Sequence, residues 1–206
     1  QIPASNGVML AAQITAAVPC RIDRIGPVAD RLEALADAFA HAEQADVVVT
    51  SGGASVGDHD LVRPALLAWG AAIDFWKVAV KPGKPVMIGV RGAQLVVGLP
   101  GNPVSSHVTA YLFVLPLLRA LLGAATPLPR PVQFTLAHDL PAAGTRQEFL
   151  RAHWDGEKVT ARLNQDSGAL ATLAASNALI ERIINAPALA AGKPVSVYLL
   201  ENGGIA

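Results

Sequence analysis

Ala45-Asp46-Val47-Val48-Val49-Thr50-Ser51-Gly52-Gly53-Ala54-Ser55-Val56-Gly57-Asp58-His59-Asp60 decides the fold. The stretch 45–50 is short, β-branched and nearly unbroken in its apolar character, the pattern of a strand buried on both faces, as in a parallel sheet. Glycines 52, 53 and 57 then break the run, and a helix is expected over 61–69, stopped by Gly70, with Pro64 tolerated only in its first turn. Upstream, Ser5 or Asn6 can cap a helix that carries Leu10 and Ile14 on one face and ends before Pro19. Residues 20–25 read as a short strand. Val28, Leu32, Leu35 and Phe39 fall at helical spacing and predict an amphipathic helix over 28–43. Downstream, strands are expected at 73–80, 85–90 and 94–99, followed by a long helix from about 104 to 122 with Gly123 just past its end. This alternation predicts a doubly wound α/β domain over residues 1–125.

Thr126-Pro127-Leu128-Pro129-Arg130-Pro131 marks a boundary, because prolines at every second position favour an extended, semi-rigid connector. Beyond it, short strand-like runs at 132–138, 147–153, 158–163, 179–184 and 195–200 predict a small all-β barrel over 130–206. The 206 residues are 52% hydrophobic and 16% charged, which excludes a disordered chain. Basic and acidic residues number 16 each, 9 of each before residue 125, so neither half carries the basic field that nucleic-acid binding needs. Residues 92–118 carry no Asp, Glu, Lys or Arg, yet Gly98, Pro100, Gly101, Asn102 and Pro103 interrupt them, and no membrane span is expected. The lone Cys20 fits a reducing, cytoplasmic setting. The chain opens at Gln1 without Met or a basic leader, and is expected to be a fragment with further residues upstream.

Three loops carry candidate chemistry. At the carboxyl end of the first strand, Ser51, Gly52, Gly53 and Ser55 offer a glycine-rich anion nest with hydroxyl donors. Asp58 and Asp60 are the residue types that ligate a hard cation such as Mg²⁺, although Asp60 would equally cap the following helix. Gly53-Ala54-Ser55-Val56-Gly57 also matches the nucleophile elbow of serine hydrolases, with Asp74 or Asp139 and His138 or His153 as formal partners. The second loop is Lys77 with Lys81-Pro82-Gly83-Lys84-Pro85, where lysines flank a turn and could converge on one anion. The third runs from a strand straight into the long helix as Gly98-Leu99-Pro100-Gly101-Asn102-Pro103-Val104-Ser105-Ser106. The helix start there is a ready anion site, and Ser105 and Ser106 add hydroxyls.

These three blocks, in this order and spacing, resemble the molybdopterin molybdenumtransferase family of the MoeA type, related to the gephyrin E domain. Ser5-Asn6-Gly7, Glu148-Phe149-Leu150-Arg151 and Asp166-Ser167-Gly168 fit the same pattern. The resemblance implies a molybdopterin-binding α/β domain followed by a C-terminal β-barrel. It implies insertion of molybdate into adenylylated molybdopterin with release of AMP, in a homodimer. By resemblance, Asp60 and Asp58 serve Mg²⁺ and the adenylate phosphates, and Ser51, Gly52, Gly53 and Ser55 hold the pterin's phosphate region. Lys81 and Lys84, with Ser105, Arg151 and Ser167, would hold molybdate, while Pro100, Gly101, Asn102 and Pro103 shape the pocket. Family members carry two further N-terminal domains and a Gly-Asp-Glu motif before the point where this chain starts, and Ala4 stands where an acidic residue is usual. The chain alone is therefore expected to be inactive. A non-catalytic molybdopterin-binding module is the alternative in a second function class.

Overall fold

A computed structural model describes residues 5–53 and 61–201, with the backbone alone at Phe75 and Trp76. The first half contains helices α1 (Asn6–Ala17), α2 (Leu32–His41) and α3 (Val62–Ala68) and strands β1 (Val47–Ser51), β2 (Ala72–Lys77), β3 (Val80–Lys81), β4 (Pro85–Arg91) and β5 (Gln94–Leu99). Four of the strands form a sheet in the order β1-β5-β4-β2. Adjacent residues of β5 point to opposite faces, as the pleat requires. Val96 packs with Leu35, Phe39 and Leu66 from α2 and α3, whereas Val97 packs with Leu10 and Ile14 from α1. Helices thus cover both faces, as the alternation predicts.

Strand directions are mixed. The β1–β5 pair is parallel, from Val47 opposite Leu95 to Ser51 opposite Leu99, but β4 runs antiparallel to both its neighbours. The cause lies in the connection. Only Gly92 and Ala93 separate Arg91 from Gln94, which face each other, and two residues can close a hairpin but not a crossover. Residues 20–25 are irregular rather than a strand. Cys20, Arg21, Asp23, Arg24 and Ile25 are exposed, so pairing there would bury no apolar face. Helix α2 starts later than the spacing suggests because Arg31 is still extended, at φ −142° and ψ 141°.

The long helix runs as α4 (Pro103–Thr109), a π-helical turn (Ala110–Val114) and α5 (Leu115–Leu121). Pro116 has no N–H to donate and its ring crowds the carbonyl four residues back, so a widened turn just before it is the expected adjustment. Pro103–Leu121 is long and apolar enough, by length and composition, to cross a membrane, more than the broken 92–118 run suggests. In this protein 61% of that apolar stretch is buried against the rest of the chain.

The second half holds β6 (Val132–Leu136), β7 (Gln147–Trp154), β8 (Lys158–Ala161), a short helix α6 (Leu170–Ala174), β9 (Ala178–Arg182) and β10 (Pro194–Leu199). Pairing runs β7-β8-β6-β10-β9 and returns to β7, which closes a five-stranded barrel. Leu136, Val159, Ile180, Val195 and Val197 fill it. The two halves are not independent in packing. Strand β3 adds to β7 in parallel, at Val80 with Gln147 and Lys81 with Glu148. Phe149, Leu173 and Leu179 of the second half share one core with Val104, Val108 and Tyr111 of the long helix.

Candidate functional site

All three candidate loops meet at the first turns of α4. The first is braced by Asn6, whose Nδ2 donates to Ser51 Oγ at 2.8 Å and to the Gly101 carbonyl at 2.7 Å. Ser51 Oγ lies 3.0 Å from Ser106 Oγ, and Ser106 bonds the Pro100 carbonyl. Gly52 N–H donates to the Leu99 carbonyl at 3.1 Å, extending the β1–β5 register by one residue. A Cβ on Gly101 would lie 3.4 Å from the Gly52 Cα, so the two turns touch backbone to backbone. Gly53 follows within the described residues, but Ser55, Asp58 and Asp60 lie outside them, as does the remainder of the nucleophile-elbow pattern. Of that pattern's formal partners, Asp139 accepts the Ala191 N–H and His153 lines a separate cavity.

The lysine turn reaches α4 through Gly83. At φ +116°, Gly83 packs so tightly on the helix that a Cβ would stand 2.3 Å from Thr109 Cγ2 and 3.8 Å from the Ser105 carbonyl. The two lysines differ. Lys81 pairs with Glu148 across the β3–β7 contact at 3.0 Å, with 48% of its side chain exposed. Lys84 is exposed and makes no ion pair among the described residues. Ser105 itself is 5% exposed, on the first turn of α4.

From the barrel side, the loop before α6 closes on the same helix start. Asn102 Nδ2 donates to Ser167 Oγ at 2.9 Å, and Val104 N–H donates to the Ser167 carbonyl at 3.1 Å. This reduces the free N–H groups that the helix start offers, since Pro103 has none and the Val104 group is taken. Arg151 is fully buried and does not line an open surface; its Nη2 donates to the carbonyls of Asn164 and Asp166, both at 3.1 Å. Burial lowers the pKa of its guanidinium and the Asp166 charge raises it. Gln165 completes the clamp, accepting the Arg151 N–H at 3.0 Å and donating to the carbonyls of Arg151 and Arg162. Arg151 and Gln165 therefore hold the loop that presents Ser167.

Two features of this arrangement escape a sequence reading. Asn6 reads as a helix cap, yet neither it nor Ser5 caps α1 with its side chain, and its amide spans 95 residues to reach Gly101. A cavity of about 550 Å³ also lies away from the three loops, lined by Met9, His107, His153, Leu173, Leu200 and Glu201. Burial holds the His107 imidazole down at about 4.

Residues 1–120 match the family described as "Probable molybdopterin binding domain". The chain belongs to that family. Residues 133–200 match the MoeA C-terminal region, domain IV, which is the closed barrel. A molybdopterin molybdenumtransferase of Haemophilus influenzae is 44% identical over 105 residues, covering 50% of this chain and 26% of that protein. One of Nostoc is 35% identical over 185 residues, covering 85% of this chain and 42% of its own length. The MoeA structure from Pyrococcus horikosii superposes with a TM-score of 0.71 at 30% identity, covering 84% of this chain and 42% of that one. The chain thus spans less than half the length of these relatives.

Proposed function

We propose that the chain is the substrate-binding portion of a molybdopterin molybdenumtransferase, which inserts molybdenum from molybdate into adenylylated molybdopterin and releases AMP. The observation that carries the reading is the Asn102–Ser167 hydrogen bond with its companion from Val104 N–H. It ties a barrel loop to the end of β5 where Gly52 meets Gly101 and where Gly83 rests on α4. A neutral protein thereby brings the turn that carries Lys84 and the hydroxyl-bearing start of α4 together, which suits substrates whose reacting parts are oxyanions. In this reading Lys84, with Ser105 and Ser167, holds molybdate, and donors fixed before the substrate arrives stabilise charge as it develops. Pro100, Gly101 and Pro103 hold the walls of the pocket rigid. In the same reading the α/β domain is taken as residues 1–125 and the barrel domain as residues 130–206.

The same reading takes Mg²⁺ on Asp58 and Asp60, a homodimer and a cytoplasmic setting. Asp58 and Asp60 lie outside the described residues.

Steady-state AMP release by the whole protein, with molybdate varied, tests the lysine roles. Lys84→Ala should raise the KM for molybdate roughly tenfold or more, because a charged hydrogen bond contributes about 1.5–3 kcal/mol. Removing the Lys81–Glu148 pair together, as Lys81→Met with Glu148→Gln, should change it by only about twofold, since those charges already cancel. A molybdate dependence untouched by Lys84→Ala would remove the lysine turn from the site.

A further inference from the structure

Hydrogen-bond direction along Asn6, Ser51, Ser106 and Pro100 is fixed from both ends. A carbonyl only accepts, so Ser106, which is fully buried, spends its single hydroxyl proton on the Pro100 oxygen. Its 3.0 Å contact with Ser51 is then a bond in which Ser51 donates. At the other end, the Gly101 carbonyl accepts from Asn6 at 2.7 Å, which sets the amide with its NH₂ group toward the loop. The same nitrogen donates to Ser51 Oγ at 2.8 Å. Ser51 has one proton and two lone pairs. The proton is committed to Ser106 and one lone pair to Asn6, leaving one lone pair on an exposed side chain. The neighbouring Gly52 N–H is committed as well, to the Leu99 carbonyl.

We propose that Ser51 meets its ligand as a hydrogen-bond acceptor, taking an N–H of the substrate's heterocycle, and does not donate to an oxyanion. The inference rests on the molybdopterin reading and assigns which part of that substrate meets this loop. An oxyanion presents only acceptors, and against the free lone pair of Ser51 it finds repulsion. A pterin ring carries a ring N–H and an exocyclic amine, and either satisfies that lone pair. The polarity is opposite to the one the glycine-rich sequence suggests, in which Ser51 and Gly52 donate to the phosphate region.

Calorimetric titration of the chain with two probes tests this: a phosphate-free pterin and inorganic phosphate. A neutral hydrogen bond contributes about 0.5–1.5 kcal/mol, so Ser51→Ala should weaken pterin binding about three- to tenfold and leave phosphate binding unchanged. Ser106→Ala releases the Ser51 proton as a free donor and should strengthen phosphate binding. Ser51→Thr keeps the hydroxyl and should retain pterin affinity within about twofold, which separates the bond from any loosening of the turn in the alanine variant. Loss of phosphate affinity in Ser51→Ala with pterin binding intact would overturn the assignment. A wild-type chain that binds no pterin would overturn the molybdopterin reading itself, and the assignment with it.

Discussion

Gly83 fixes where the lysine turn sits. Its φ of +116° is a conformation that L side chains rarely adopt, and the space its Cβ would fill is held by Thr109 Cγ2 at 2.3 Å. Gly83→Ala should therefore lose about 2–4 kcal/mol of stability, combining backbone strain with overpacking against a buried helix. Adding Thr109→Ser removes the clashing methyl and should recover part of that loss, leaving the backbone cost. Urea unfolding of both variants measures it; an unchanged midpoint in Gly83→Ala would mean the turn does not rest on α4. A sequence reading finds the glycine and the lysines, because Pro-Gly between lysines is a local signal. It does not separate the paired Lys81 from the free-standing Lys84, since Glu148 lies 67 residues away. Asn6 is hidden for the same reason. Its helix-capping chemistry is visible locally, while its partners Ser51 and Gly101 come from other loops.

Among elements, the barrel strands were the most legible. Each of the five expected runs contains or overlaps a strand, because alternating apolar residues between turn signals carry the period of the pleat. Segment 20–25 is not, since Ile22 alone packs on the core while its neighbours Cys20, Arg21, Asp23, Arg24 and Ile25 are exposed. The π-helical turn and the pairing of β3 with β7 depend on neighbours that no local pattern reports. One such neighbour joins the long helix to the barrel: Tyr111 OH donates to the Leu199 carbonyl at 2.9 Å, and its ring lies 6.2 Å from that of Tyr198. Tyr111→Phe keeps the ring contact and leaves the carbonyl without its donor. The expected cost is about 1–3 kcal/mol, with the secondary structure retained by circular dichroism. A variant as stable as the wild type would show that water replaces the hydroxyl at no cost.

Across the whole molecule, α/β half and barrel share a core, so the junction should report on global stability. His107 stands there, with Nδ1 buried and without a hydrogen-bond partner among the described residues, beside Met9 and Leu200. Its imidazole titrates at 6.5 when unfolded and at about 4 when folded, because burial disfavours the cation. Between those values the unfolded chain binds more protons, so stability is in full above pH 6.5 and falls as pH drops toward 4. The loss amounts to at most about 3 kcal/mol. His107→Gln should flatten that part of the profile in urea unfolding between pH 4 and 7, and a slope equal to the wild type would assign the effect to other groups.

Three loops and one barrel turn converge on the start of α4, and a single diffraction measurement tests whether molybdate binds there. Crystals of the whole protein soaked with molybdate and AMP would locate molybdenum by its anomalous scattering. A molybdenum peak is expected within hydrogen-bonding reach of Lys84, beside Ser105 and Ser167. A peak in the cavity beside Met9 and His107, with none at the lysine turn, would contradict it.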